Sequence, residues 1–198
     1  MSFRRGSYKL RSLTFINNIP NIVGTHAQRA FIFNTHTLII PEGSYTWKEL
    51  YEQIRALARE QDTNLSVTFD EKTKTMTYTS TTSMTITVHD TILQEIMGIT
   101  SLTGTTVTSG YMNIVPYPYI GVRIAKFQNT YFTPDNPDDN HVIHIPAPVG
   151  VEFGGAVTYD EPIVMNCQGT SDLSLTFVSR GRTFSVPYSV LYLDPLDQ

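Results

Sequence analysis

The residues with the clearest capacity for chemistry are two histidines, His141 and His144, spaced as H-x-x-H. On a helix this spacing could chelate a metal ion. The surrounding residues read as a strand, however, and residues three apart in a strand point to opposite faces. The single cysteine, Cys167, is distant in sequence, and no other cysteine could complete a zinc site. We therefore expect no metal at this pair.

Carboxylates form a second candidate site. Asp135, Asp138 and Asp139 lack the alternating oxygen ligands and the glycine of a calcium loop, so a solvated acidic loop is expected. Asp160 and Glu161 are adjacent near a strand, so their carboxylates should diverge rather than pair for acid–base catalysis. The nucleophile-elbow, zincin and dinucleotide-binding motifs are absent. We expect no cofactor and no enzymatic activity.

A binding surface is the third possibility, at Tyr117, Pro118 and Tyr119. Aromatic residues beside prolines make a rigid, amphipathic surface of the kind favoured at protein interfaces. The sequence allows an alternative, a kinked edge strand whose tyrosines cover the core. We take the segment as a possible subunit interface.

Positive charge is concentrated at the N-terminus. Arg4, Arg5, Lys9 and Arg11 occur without any acid in residues 1–11, whereas the remainder carries ten bases against eighteen acids. Nucleic acid cannot be the partner of such an acidic body. We predict a flexible basic arm over residues 1–11 that could tether the chain to a neighbouring subunit or to packaged nucleic acid.

Composition favours sheet and a reducing compartment. Only 16% of residues are charged, and eleven Tyr, ten Phe and abundant Thr suit pleated strands. A single cysteine allows no internal disulfide, which points to assembly in a reducing compartment of the host cell. No apolar run approaches the length of a membrane-spanning helix. The N-terminus is too polar for a signal peptide.

Two helices are predicted among the strands. Thr46 and Glu49 have the spacing of a capping box and predict a helix at about 47–61. A second, short helix should begin near Thr91 and end at Gly98 in a left-handed cap. The first helix carries apolar residues at helical spacing: Leu50, Ile54 and Leu57.

The other elements should be strands. Alternating residues predict three short antiparallel strands between residues 65 and 88, with a hairpin turn at Asp70–Thr73. Further strands are predicted at 12–23, 28–40, 111–127, 141–146, 156–166, 172–179 and 183–193. Pro116 and Pro118 should place the segment 111–127 at an edge or a bulge. The fold is predicted to be mainly β, a single sandwich over 12–198 interrupted by a helix–strands–short helix excursion at about 44–99.

Several segments resemble a known family. The stretches LIIPEGSYTWKELYEQIRALA, LSVTFDEKTKTMTYTS and ILQEIMGITS are similar to a module of minor capsid (penton) proteins. Those proteins belong to virophages and to polinton-like and adintovirus-like elements. The later segments YPYIGVRI and SLTFVSRGRTFSVPYSVLYL resemble the closing strands of the same family. Together these segments span about 30–193.

The resemblance implies a single jelly roll of two four-stranded sheets. It also implies a pentamer at the icosahedral vertices of a virion, with the major capsid protein as a neighbour and the packaged genome as a possible partner of the arm. The sequence leaves two alternatives open. One is a trimeric fibre or spike module that binds a receptor or a carbohydrate, and the other is an enzyme of cupin type, against which the five scattered histidines argue.

Overall fold

The structure is a computed structural model of the 198-residue chain. It describes residues 3–117, 119–129, 143–146, 154–170, 173–186 and 188–196. The chain divides into two compact units: unit 1 comprises Met1–Ile19 and Tyr117–Gln198, and unit 2 comprises Pro20–Pro116. Both units are built mainly from antiparallel strands, so the predicted mainly-β class is confirmed.

Unit 1 contains two antiparallel sheets. The strands of the first sheet are β1 (Gly6–Ile16), β8 (Phe127–Asn129), β10 (Ala156–Tyr159), β11 (Ile163–Cys167) and β14 (Ser189–Pro195). Strand β1 lies in the middle, paired with β14 on one side and with β10 and then β11 on the other. Strand β8 pairs with β11.

The second sheet of unit 1 has four strands in the order β13-β12-β7-β9. These are β7 (Tyr119–Ile124), β9 (Ile143–Pro146), β12 (Leu175–Ser179) and β13 (Arg182–Phe184). Phe15 of β1 meets Phe177 of β12 with ring centroids 5.0 Å apart, and both rings are buried. The apolar faces of the two sheets therefore pack together as in a β-sandwich. Among the described residues the two sheets have five and four strands, where the resemblance implied four and four.

The predicted flexible arm is wrong for residues 6–11, because these residues form the first half of β1. Tyr8 and Leu10 are buried, whereas Lys9 and Arg11 point outward. In this segment the basic residues alternate with buried apolar residues, and the same alternation continues into the predicted strand. That strand, expected over 12–23, ends at Ile16.

The expected edge strand at 111–127 is also corrected. Strand β7 begins at Tyr119 and pairs with β9 on one side and β12 on the other, so it lies inside its sheet. Pro116 and Pro118 precede its first residue, where a missing N–H removes no bond from the ladder. Pro118 lies outside the described residues.

The final predicted run, 183–193, is two strands in two different sheets. Strand β13 pairs with β12, and β14 pairs with β1. The β12–β13 hairpin turns at Arg180 and Gly181, whose φ angles are 47° and 73°. Two successive positive φ angles are typical of the type I′ hairpin turn, and glycine adopts the second of them without strain.

Unit 2 is one five-stranded antiparallel sheet with two helices. Its elements are β2 (Ala30–Phe33), β3 (His36–Ile39), α1 (Trp47–Gln61), β4 (Ser66–Asp70), β5 (Thr75–Val88), α2 (Thr91–Met97) and β6 (Ser101–Thr108). The 14-residue strand β5 is central, with β6 along one side and β2 and β4 along the other. Strand β5 replaces two of the short strands predicted between 65 and 88, and β6 was not predicted.

The inserted part of the chain is larger than the predicted 44–99. The segment 28–40 forms a hairpin of β2 and β3, and β2 pairs with β5 rather than with the sandwich. Asn34 makes the turn with φ 55°, and its side-chain Oδ1 accepts a 2.9 Å bond from the N–H of Thr85. These contacts place the hairpin in unit 2.

Both helices have the predicted ends, and the residue that caps α2 is Asp90, one position before Thr91. The Glu49 N–H donates to Thr46 Oγ1 (3.3 Å) and the Thr46 N–H donates to Glu49 Oε2 (2.8 Å), which confirms the capping box of α1. Helix α2 is capped by Asp90, whose Oδ1 accepts from the N–H of Leu93 at 3.0 Å. Gly98 ends α2 in the left-handed region at φ 65°, as predicted.

Candidate interaction surfaces

The residues with predicted metal-binding capacity do not assemble into a site in the described part of the chain. His141 and the Asp135–Asp139 cluster lie outside it, and His144 lies in β9. Within the described ranges, no group of three or more His, Cys, Asp or Glu side chains is placed to hold a metal ion. Cys167 is a buried free thiol in β11.

Asp160 and Glu161 directly follow the last residue of β10. The Tyr159 hydroxyl donates to Glu161 Oε2 at 3.3 Å, so Glu161 is turned toward the phenol. The pKa of Tyr159 is raised to about 12. Partial burial is the largest cause, and the negative charge of Glu161 and this hydrogen bond raise the pKa further. The phenol is therefore a neutral donor at physiological pH.

The four N-terminal bases are distributed over a strand and the residues before it. Arg4 and Arg5 are exposed ahead of β1, while Lys9 and Arg11 lie on the outward face of that strand. Arg11 forms an ion pair with Asp194 of β14. Because both partners are exposed, this pair contributes little to stability.

Tyr117 belongs to the core of unit 1 and not to an exposed interface. Its side chain is 5% exposed and packs edge-on against Phe184, with ring centroids 5.0 Å apart. Tyr119 is half-buried in β7. The alternative left open by the sequence, tyrosines that cover the core, describes Tyr117. A ring buried in its own unit offers a neighbour almost no contact area.

An exposed apolar stripe runs along β14 instead. Tyr188, Val190 and Tyr192 alternate along the chain and are 70%, 51% and 60% exposed. We call these three residues the β14 stripe. Val190 and Tyr192 lie opposite Thr14 and Ser12 of β1, on the outward face of the sheet. Tyrosine is enriched at protein interfaces, and neighbouring apolar side chains in solvent mark an interaction surface.

Unit 2 presents a second uncharged surface. Strands β5 and β6 contain no Asp, Glu, Lys or Arg. Their outward positions are threonine and serine, whose hydroxyl oxygens meet across the strands in the pairs Thr77–Thr108 (3.0 Å), Thr85–Thr103 (3.3 Å) and Thr87–Ser101 (3.4 Å). We call the outward side of β5 and β6 the threonine face. A typical domain has about 25% charged residues, so this face is unusually free of charge.

A cluster of aromatic rings lies at the rim where α1 covers β4. Trp47 and Tyr51 are one turn apart on α1, and both stack on Phe69 of β4 with centroids 6.3 Å and 6.0 Å away. Tyr111 stands edge-on to Trp47 at 6.3 Å. The ammonium of Lys74 lies 5.5 Å from the Trp47 ring centroid and 5.9 Å from that of Phe69. We call these five residues the aromatic rim.

The sequence does not predict the β14 stripe or the aromatic rim, and it predicts a polar threonine face only on the strands between residues 65 and 88. The β14 stripe could not be predicted because the run 183–193 contains two strands that belong to different sheets. The threonine face was only partly visible, since β6 has too little hydrophobic alternation to predict a strand. The aromatic rim had one signal, the spacing of Trp47 and Tyr51 by four residues, which places both on one side of a helix.

Comparison with known proteins identifies the architecture. No protein-family model matches the chain, and no curated protein matches its sequence. The structure is similar to a crystal structure of selenomethionine-labelled mavirus penton protein, with a TM-score of 0.51 and 10% sequence identity. The match covers 96% of this chain and 84% of that chain. The chain has a penton-like fold. In the described residues, no helix is long and apolar enough to cross a membrane.

Proposed function

We propose that this chain is a structural subunit of a viral capsid, the penton protein that forms pentamers at icosahedral five-fold vertices. The observation that carries the proposal is the structural similarity to mavirus penton protein over 96% of the chain, an extent that includes both units. A shared fold does not by itself determine function, so the surfaces of this chain must also suit assembly.

The β14 stripe suits a contact between subunits. The chain has a net charge of −4, so identical copies repel one another wherever their acidic surfaces meet. The side chains of Tyr188, Val190 and Tyr192 are exposed and carry no charge, so they add no repulsion to a contact between copies. Depletion of charge and enrichment in tyrosine are the compositional features of interface cores. The stripe takes the role that the sequence assigned to Tyr117, Pro118 and Tyr119.

The remaining partners follow from a place in the virion. The major capsid protein would surround the pentamer, and the threonine face offers it an uncharged surface. The exposed bases Arg4, Arg5 and Lys9 are available to an acidic neighbour or to the packaged genome.

The oligomeric state of the purified chain tests this proposal. We expect native mass spectrometry to show pentamers, and we expect Tyr192→Glu to dissociate them. The matched control is Tyr111→Glu, which charges a similarly exposed tyrosine on unit 2 and should leave the pentamer intact. A trimer would instead favour a receptor-binding fibre or spike. A pentamer that survives Tyr192→Glu would place the subunit contact away from the β14 stripe.

A further inference from the structure

The aromatic rim has features that packing alone does not require. Tyr111 is 66% exposed, and its ring makes an edge contact with the half-buried Trp47. Leu50, Ile54 and Met76 in the core of unit 2 are fully buried. An exposed tyrosine that gains little from burial is available to a ligand.

Two hydrogen bonds to backbone carbonyl groups hold the aromatic rim in place. The Tyr51 hydroxyl donates to the Val67 carbonyl at 2.8 Å, which fixes α1 against β4. The Met112 N–H donates to the Lys74 carbonyl at 2.9 Å, which brings the segment carrying Tyr111 to the β4–β5 hairpin. Rings from α1, β4 and the segment after β6 are thereby fixed around one ammonium group.

Lys74 occupies a backbone position that disfavours lysine. Its φ angle is 53°, in the left-handed region where glycine or asparagine avoids a steric penalty. The lysine is nevertheless placed so that its ammonium lies over two rings. It presents a hydrogen-bond donor beside an aromatic surface.

We propose that the aromatic rim is a glycan-binding site. The apolar C–H face of a pyranose packs on Tyr111 and Trp47, and Lys74 donates to a ring hydroxyl or to a sugar carboxylate. A nucleobase could also stack on these rings, but single-stranded nucleic acid needs a groove of several cations along its backbone. One ammonium lies over these rings, that of Lys74, and the chain as a whole is acidic. These features favour a sugar.

The test uses the full chain and two measurements, binding to an oligosaccharide array and titration followed by tryptophan fluorescence. An array of immobilised neutral and carboxylate-bearing oligosaccharides identifies binders, which are then titrated while tryptophan emission is recorded. Trp47 is the only tryptophan in the chain, so a change in its emission reports directly on the rim. Titration with a soluble, monovalent glycan measures the affinity of a single rim, so its outcome is separate from that of the capsid proposal.

Three variants make the result specific. Tyr111→Ala should weaken glycan binding at least tenfold, whereas Tyr188→Ala, which removes a similarly exposed tyrosine from unit 1, should leave it within about twofold. Lys74→Met removes the ammonium and leaves an unbranched apolar side chain of similar length beside the rings. If the Lys74 variant loses binding only to carboxylate-bearing glycans, Lys74 contacts the carboxylate of an acidic sugar. If the variant loses binding equally to both classes, Lys74 donates to a sugar hydroxyl. The proposal is overturned if the chain binds no glycan, if the two tyrosine variants weaken binding equally, or if a single-stranded oligonucleotide binds better than every glycan.

Discussion

Thr46 and Glu49 begin helix α1 by exchanging two hydrogen bonds between side chain and backbone. Thr46→Ala removes the acceptor for the Glu49 N–H and should lower the free energy of unfolding by about 1 kcal/mol. Thr46→Ser keeps the hydroxyl and should retain most of that stability. Denaturant melts of the three proteins measure the difference. An alanine variant as stable as the parent would show that the cap does not stabilise the helix.

The same cap should give the protein a defined acid sensitivity. Hydrogen bonds from the backbone and then the side chain of Thr46 hold the pKa of the Glu49 carboxyl below its ordinary value. A lowered folded-state pKa means that the carboxylate stabilises the protein above its ordinary pKa of about 4.3 and loses this effect as pH falls through the folded value. Glu49→Gln should therefore be less stable than the parent at pH 7, and the gap should shrink below about pH 4. Asp70, whose pKa is also lowered by backbone hydrogen bonds, is common to both proteins and cancels in the comparison. A gap that stays constant with pH would contradict this assignment.

Gly98 is required by a close approach as well as by its backbone angle. A Cβ there would lie 2.4 Å from the carbonyl oxygen of Gly110, and this oxygen is backbone and cannot swing away. Gly98→Ala should cost more than the roughly 1–2 kcal/mol of a left-handed backbone alone. Gly181→Ala is the matched control, because its φ is also positive but no atom lies within 4 Å of the added Cβ. Equal losses in thermal melts for the two variants would show that the approach to Gly110 has no energetic effect.

At the scale of elements, strand β1 is essential to the sandwich because it bonds with β14 on one side and with β10 and β11 on the other. Deleting residues 1–11 removes the part that pairs with β11 and the buried residues Tyr8 and Leu10. We expect the deletion to unfold unit 1, as seen by loss of chemical-shift dispersion. The control replaces Arg4, Arg5, Lys9 and Arg11 with alanine, which removes the same charge and leaves the strand. If the deletion folds as well as the control, residues 6–11 are the flexible arm that the sequence predicted.

Elements specified by local chemistry could be read from the sequence. The capping box of α1, the glycine that ends α2 and the turn at Asp70, whose Oδ1 accepts from the N–H groups of Lys72 and Thr73, depend on residues a few positions apart. Pairing between distant strands could not be read in the same way. Whether β2 joins the sandwich or β5 depends on contacts about 55 positions away, and β1 was concealed because bases alternate with its apolar residues.

The surfaces were harder to predict than the core for the same reason. The aromatic rim draws on α1, β4, the hairpin and a segment after β6, and only their folded arrangement brings the rings to Lys74. Tyr117 and Tyr192 are both tyrosines near prolines, yet one is buried and the other exposed. Burial depends on the sheet each residue joins, which residue type alone does not determine.

At the scale of the whole molecule, an acidic chain with an uncharged sheet face and an apolar stripe is suited to assembly with copies of itself. We propose that these copies form the vertices of a capsid. A cryo-electron microscopy map of particles that contain this protein would locate the chain. We expect density for five copies around each icosahedral five-fold axis, with Tyr188, Val190 and Tyr192 in the contact between copies. Density for the chain in a three-fold spike, or its absence from the five-fold positions, would contradict it.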